Sequence, residues 1–141
     1  MKLSFEELQL LNSLEQLTGA RANDVVCTPE TMFFVVEAAD VGKAIGRGGS
    51  NIARLRERLG KNVEVIAGSA DYRQFFNSLF SPALVKDYVE RGEGGAKRLD
   101  VVVDESQRGI AIGRNGEKIK KAKIFGKRYF GYDEVRVVLR A

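Results

Sequence analysis

Apolar residues along this chain recur with two periods, and the switches between them mark out the elements. Phe5, Leu8, Leu11, Leu14 and Leu17 are spaced as one face of a helix, with Glu6, Glu7, Glu15 and Gln16 between them and Gly19 as a stop. That face is expected to pack on a sheet. β-rich runs follow from Val25 to Thr28 and from Thr31 to Ala38, separated by the tight turn Thr28-Pro29-Glu30. After Val41 to Ile45 comes a glycine loop, then a helix predicted over Ser50 to Leu59. Ile52, Leu55 and Leu59 share one face of it, and Arg54 and Arg58 another. Gly60 ends that helix, and Val63 to Ile66 reads as a strand.

The pattern then restarts. Asp71 to Phe80 is predicted helical, and its Phe75, Phe76, Leu79 and Phe80 lie at core spacing rather than as a base-stacking platform. A Ser81-Pro82 stop precedes a strand predicted over Leu84 to Val89. A loop from Arg91 to Lys97 leads to a second strand around Leu99 to Val103. A second glycine loop, a helix near Glu117 to Phe125 and a strand from Val135 to Val138 complete the half. Each half therefore reads α-β-β-α-α-β, an α+β class.

The repetition is also literal. Gly42-Lys43-Ala44-Ile45-Gly46-Arg47-Gly48-Gly49-Ser50-Asn51-Ile52 returns 67 positions later, without a gap, as Gly109-Ile110-Ala111-Ile112-Gly113-Arg114-Asn115-Gly116-Glu117-Lys118-Ile119. Two copies in matching surroundings imply one structural unit duplicated. The closing strands align only if the second copy carries about five extra residues between Ile124 and Asp133. With 141 residues, the chain divides into domains over 1–69 and 70–141. The connector Ala67-Gly68-Ser69-Ala70 is too short for a free tether, so the halves are expected to pack together.

Composition narrows the chemistry. Histidine is absent, which removes the commonest general base and zinc ligand, and no nucleophile–base pair or metal cluster is visible. No enzyme, metal or cofactor is expected. Cys27 is the single cysteine, in a strand-like run that predicts a buried apolar role and no internal disulfide. No run approaches a membrane span, and the N-terminus lacks a signal-peptide core, so a soluble cytoplasmic monomer is expected.

The formal charge of +4 is small but unevenly placed. Residues 1–40 hold 2 basic against 7 acidic side chains, whereas residues 107–141 hold 10 against 3. Residues 41–66 hold 6 against 2 and residues 67–106 hold 5 against 7. Positive charge thus follows the two glycine loops, as the footprint of a polyanion would.

The loops themselves suit a phosphate. Gly46-Arg47-Gly48-Gly49 and Gly113-Arg114-Asn115-Gly116 each join a short apolar turn to a helix N-terminus. Glycine allows the tight turn and close approach of a ligand backbone, while free amides and the positive end of the helix dipole favour an anion. Arg47 and Arg114 add charge at the same place. Ile45, Ile52, Ile112 and Ile119 either line an apolar groove for unstacked bases or simply pack in the core. A dinucleotide fingerprint would need glycine where Asn51 stands. A Walker-type loop at Gly126-Lys127-Arg128 lacks both its hydroxyl and its upstream glycine.

A Gly-x-x-Gly loop between two helices, flanked by strands, resembles the KH domain, and the α-β-β-α-α-β order resembles its type II form. The two loop sequences in tandem resemble the archaeal NusA-like transcription termination and antitermination factors. The resemblance implies two tandem type II KH domains, each with a mixed three-stranded sheet and helices on one face. It also implies single-stranded RNA as partner, with RNA polymerase or ribosomal components as further ones. Residues 46–49 and 113–116 would be backbone clamps for about four nucleotides each. Lys43, Arg54, Arg58, Lys118, Lys120, Lys121 and Lys123 would track phosphates, along one extended site across both domains. Two other readings stay open: a KH protein preferring single-stranded DNA, and a protein-binding adaptor docking through its acidic first helix.

Overall fold

The computed structural model describes residues 3–140 and divides into two compact units, residues 1–70 and 71–141. In the first, helix α1 (Phe5–Thr18) begins at a capping box. Ser4 Oγ accepts from the Glu7 amide at 3.1 Å, and a Glu7 carboxylate oxygen accepts from the Ser4 amide at 2.8 Å. Gly19, with φ 77°, closes the helix in the left-handed conformation. Leu11 and Leu14 are buried beneath it, with Leu10 and Leu17 partly so. The predicted apolar stripe is therefore only half right: Phe5 is 71 % and Leu8 47 % exposed.

Strands β1 (Ala22–Cys27), β2 (Thr31–Glu37) and β3 (Asn62–Gly68) form a sheet in that order. β1 pairs antiparallel with β2, and β2 parallel with β3, with Val25 opposite Phe34 and Phe34 opposite Val65. A parallel pair needs a crossover, and α2 (Val41–Ile45), the glycine loop and α3 (Ser50–Leu59) supply it. Val25, Met32, Phe34, Val36, Ala44, Leu55 and Val63 meet Leu11 and Leu14 in one core. Two expectations fail here. Cys27 is exposed, because it ends an edge strand, and Ala67 and Gly68 belong to β3 rather than to a connector.

The second unit repeats the order with α4 (Tyr72–Phe80), β4 (Asp87–Glu93), β5 (Ala96–Val103), α5 (Glu105–Ile112), α6 (Glu117–Phe130) and β6 (Glu134–Leu139). Its sheet order is β4-β5-β6, again antiparallel then parallel. The core is aromatic where the first is aliphatic. Phe75, Phe76, Phe80, Phe125 and Tyr132 are fully buried, and Phe75 meets Phe76 and Phe125 edge-on at 5.4 and 5.9 Å between ring centres.

The first strand of this unit is not Leu84 to Val89 but β4, three residues later. The segment from Arg91 to Lys97 is a hairpin rather than a loop. Glu93 pairs with Ala96 across Gly94 and Gly95, whose φ values of 56° and 87° suit the two-residue turn that matches strand twist. Helix α6 runs 14 residues against 10 for α3, so four of the five extra residues add one helical turn.

Candidate nucleic-acid interface

The two glycine loops have the same backbone. Gly46 and Gly113 cap α2 and α5 at φ/ψ of 78°/168° and 80°/168°. The third loop residues, Gly48 and Asn115, sit at 62°/21° and 57°/23°, and the fourth, Gly49 and Gly116, at 78°/16° and 72°/20°. Asparagine at 115 is tolerable because its short side chain makes it one of the few types that visit the left-handed region.

Gly46 and Gly113 are required for two reasons at once. Their φ is positive, and a Cβ on Gly46 would lie 2.8 Å from the Asn51 amide nitrogen, one on Gly113 3.0 Å from that of Lys118. The next helix thus starts in contact with the bend. Each loop is also tied by matched bonds: the Gly46 amide donates to Gly42 O at 2.9 Å, and the Gly113 amide to Gly109 O at 3.0 Å. The Gly49 and Gly116 amides donate to Gly46 O and Gly113 O, both at 3.1 Å.

No side chain caps α3 or α6, in contrast to α1 and α4, which Ser4 and Asp71 cap. Arg47, Gly48, Arg114 and Asn115 are exposed at the loop tips. Each loop therefore presents accessible backbone, a positive helix end and one guanidinium in one place.

The helices behind the loops sort their cations. Arg54 and Arg58 are exposed on α3, with no ion pair among the described residues, whereas Arg56 donates to Val63 O at 3.2 Å and ties α3 to β3. On α6, Lys120 and Lys123 are exposed, and Lys121 is half-buried. Lys43 is exposed on α2.

Lys118 is tied into the fold. Its ammonium donates to Phe80 O at 3.2 Å and Ser81 O at 2.9 Å, the open carbonyl end of α4. Burial, with the Lys121 charge beside it, pulls its pKa below the ordinary lysine value. Its counterpart Asn51 makes a different tie, donating from Nδ2 to Lys43 O of α2 at 2.8 Å. Sequence reading grouped Lys118 with the phosphate trackers and passed over Asn51.

The four isoleucines split in a similar way. Ile45 is 38 % exposed beside the first loop, while Ile52, Ile112 and Ile119 are half-buried, and Ile52 packs on the core. Ile110, which the sequence reading left out, is 43 % exposed where the first copy has Lys43. The predicted closing strands are β3 and β6, though sequence analysis gave them no part in the site. Both helices of each pair rest against them, and among the described residues each strand leaves one edge unpaired in its sheet.

Comparison with known proteins agrees with this geometry. The KH domain family matches twice, at residues 11–70 and 72–139. The probable transcription termination protein NusA of Methanococcus vannielii is 31 % identical over 98 % of this chain and 80 % of its own length. That of Halobacterium salinarum is 31 % identical over 97 % of this chain and 98 % of its own. This chain is a NusA-family protein with two KH domains. The crystal structure of APE1850, 32 % identical, matches 96 % of this chain and all of its own with a TM-score of 0.91. The element order and mixed sheets make both KH domains type II.

Proposed function

We propose that this NusA-family protein binds single-stranded RNA through both Gly-x-x-Gly loops and acts in transcription termination or antitermination. The observation that carries the reading is the matched pair of loops. Dihedral angles agree within a few degrees although Gly48 in one is Asn115 in the other. A constraint on backbone shape rather than on side chains is what clamping a sugar-phosphate chain demands. Exposed cations flank each clamp: Arg47, Arg54 and Arg58 in the first domain, Arg114, Lys120 and Lys123 in the second, with Arg47 and Arg114 at the same place in the two copies. Ile45 and Ile112, with the unpaired edges of β3 and β6, border a strip suited to unstacked bases. The names of the curated relatives supply the process, and within it RNA polymerase is the partner expected beside the RNA.

Amide chemical shifts recorded during titration with a short single-stranded RNA test the reading. The largest changes are expected in residues 45–52 and 112–119, and a blunt duplex of the same sequence is expected to leave them unmoved. Changes confined to α1 and α4, or equal response to the duplex, would contradict it.

A further inference from the structure

Helix α1 differs from its counterpart in the duplicate in a way that RNA binding does not use. α4 has nine residues, no acidic side chain and four buried apolar ones, Phe75, Phe76, Leu79 and Phe80. α1 has 14, and its first turn holds Phe5 at 71 % and Leu8 at 47 % exposure, one turn apart on the same side. This turn buries little within its own domain, yet a complete capping box holds it in helical form. Glu6, Glu7 and Glu15 give the helix three negative charges and it has no basic residue. No ion pair among the described residues engages Glu6 or Glu15.

We infer that the Phe5–Leu8 face of α1 docks a basic, amphipathic segment of a partner protein. Phe5 and Leu8 enter its apolar side, and Glu15, two turns beyond Leu8 on the same side of the helix, meets a lysine or arginine, while Glu6 adds negative charge to the same turn. The sign of the charge decides the occupant. Glu6 and Glu15, which no ion pair engages among the described residues, repel nucleic acid and anionic membrane alike, and they attract a cationic peptide. An exposed Phe beside an exposed Leu is the kind of anchor that supplies affinity once it is desolvated. The acidic face of α1 and the basic glycine loops would let the protein hold RNA and a protein together.

The probe is a synthetic amphipathic helix with leucines along one face and lysines along the other, titrated into the full chain while amide shifts are followed. Shifts concentrated in residues 4–15 are expected. Affinity should fall about tenfold in the double variant Phe5→Ala, Leu8→Ala, and again in Glu6→Gln, Glu15→Gln. Both variants change exposed side chains, so they should remain folded and keep wild-type RNA affinity. Failure of this inference is thereby separate from failure of RNA binding. Shifts centred on other elements, equal affinity for a glutamate-for-lysine peptide, or unchanged affinity in both variants would overturn it. So would a dimer in solution that Phe5→Ala, Leu8→Ala dissolves, since the occupant would then be a second copy.

Discussion

Position 46 shows how a single residue couples shape to binding. Alanine there meets both a left-handed backbone and a Cβ 2.8 Å from the Asn51 amide nitrogen. Gly46→Ala is expected to cost roughly 2–4 kcal/mol. Gly48→Ala faces open space and should cost only about 1 kcal/mol. Urea unfolding of the two variants checks the contrast, and equal losses would mean that the bend is not in contact with α3.

Asp100 offers a second test at this scale. It is buried on β5, and burial alone would raise its pKa. Hydrogen bonds from Arg91 at 2.8 Å and Arg98 at 3.0 Å, with the Arg136 charge, outweigh that and hold the carboxyl below its ordinary range. Because the folded value is depressed, its stabilisation is complete above about pH 4 and is lost as pH falls through the folded value. Asp100→Asn should therefore cost about 1–3 kcal/mol near pH 7, the arginines being partly solvated, and progressively less below pH ~4. Urea unfolding across that pH range measures the convergence. The tight bends of both loops were legible from the glycines alone. The roles of Asn51 and Lys118 were not, because one reaches eight residues back along the chain and the other docks on a helix 38 positions away.

Among the elements, periodicity located helices well and misplaced strands where glycine and charge obscured it. Arg91-Gly92-Glu93 alternates correctly for β4, but two further glycines made the whole stretch read as a loop. The helix predicted to Phe125 runs on to Phe130, and Gly126 lies inside it where β6 approaches. A Cβ at 126 would come 2.8 Å from Val135 Cγ2. Alanine improves helix propensity by about 1 kcal/mol, but the clash outweighs it, and Gly126→Ala should lose roughly 1–3 kcal/mol net. Adding Val135→Ala should recover part of that loss in a double-mutant cycle. Simple additivity would show that the approach of α6 to β6 is not what excludes a side chain. For α1, spacing alone could not tell that Phe5 and Leu8 lie beyond the sheet the helix packs on.

Across the whole molecule, duplication was the most legible feature, since it needed only the sequence compared with itself. The copies differ around loops of one backbone shape: one core is aliphatic and the other aromatic, α6 is a turn longer than α3, and only α1 carries an acidic, apolar tip. The loops share their dihedral angles although their sequences differ at the third position. The most direct test is equilibrium binding of a single-stranded RNA pool across a salt series. Wild type is compared with a variant carrying Arg47→Asp, Gly48→Asp, Arg114→Asp and Asn115→Asp. If the six exposed cations at the clamps each meet one phosphate, the wild-type slope of log affinity against log salt should be about −4. The variant should remain folded, bind at least about tenfold more weakly and show a shallower slope. Equal affinity and slope in the folded variant would contradict RNA binding by the Gly-x-x-Gly loops.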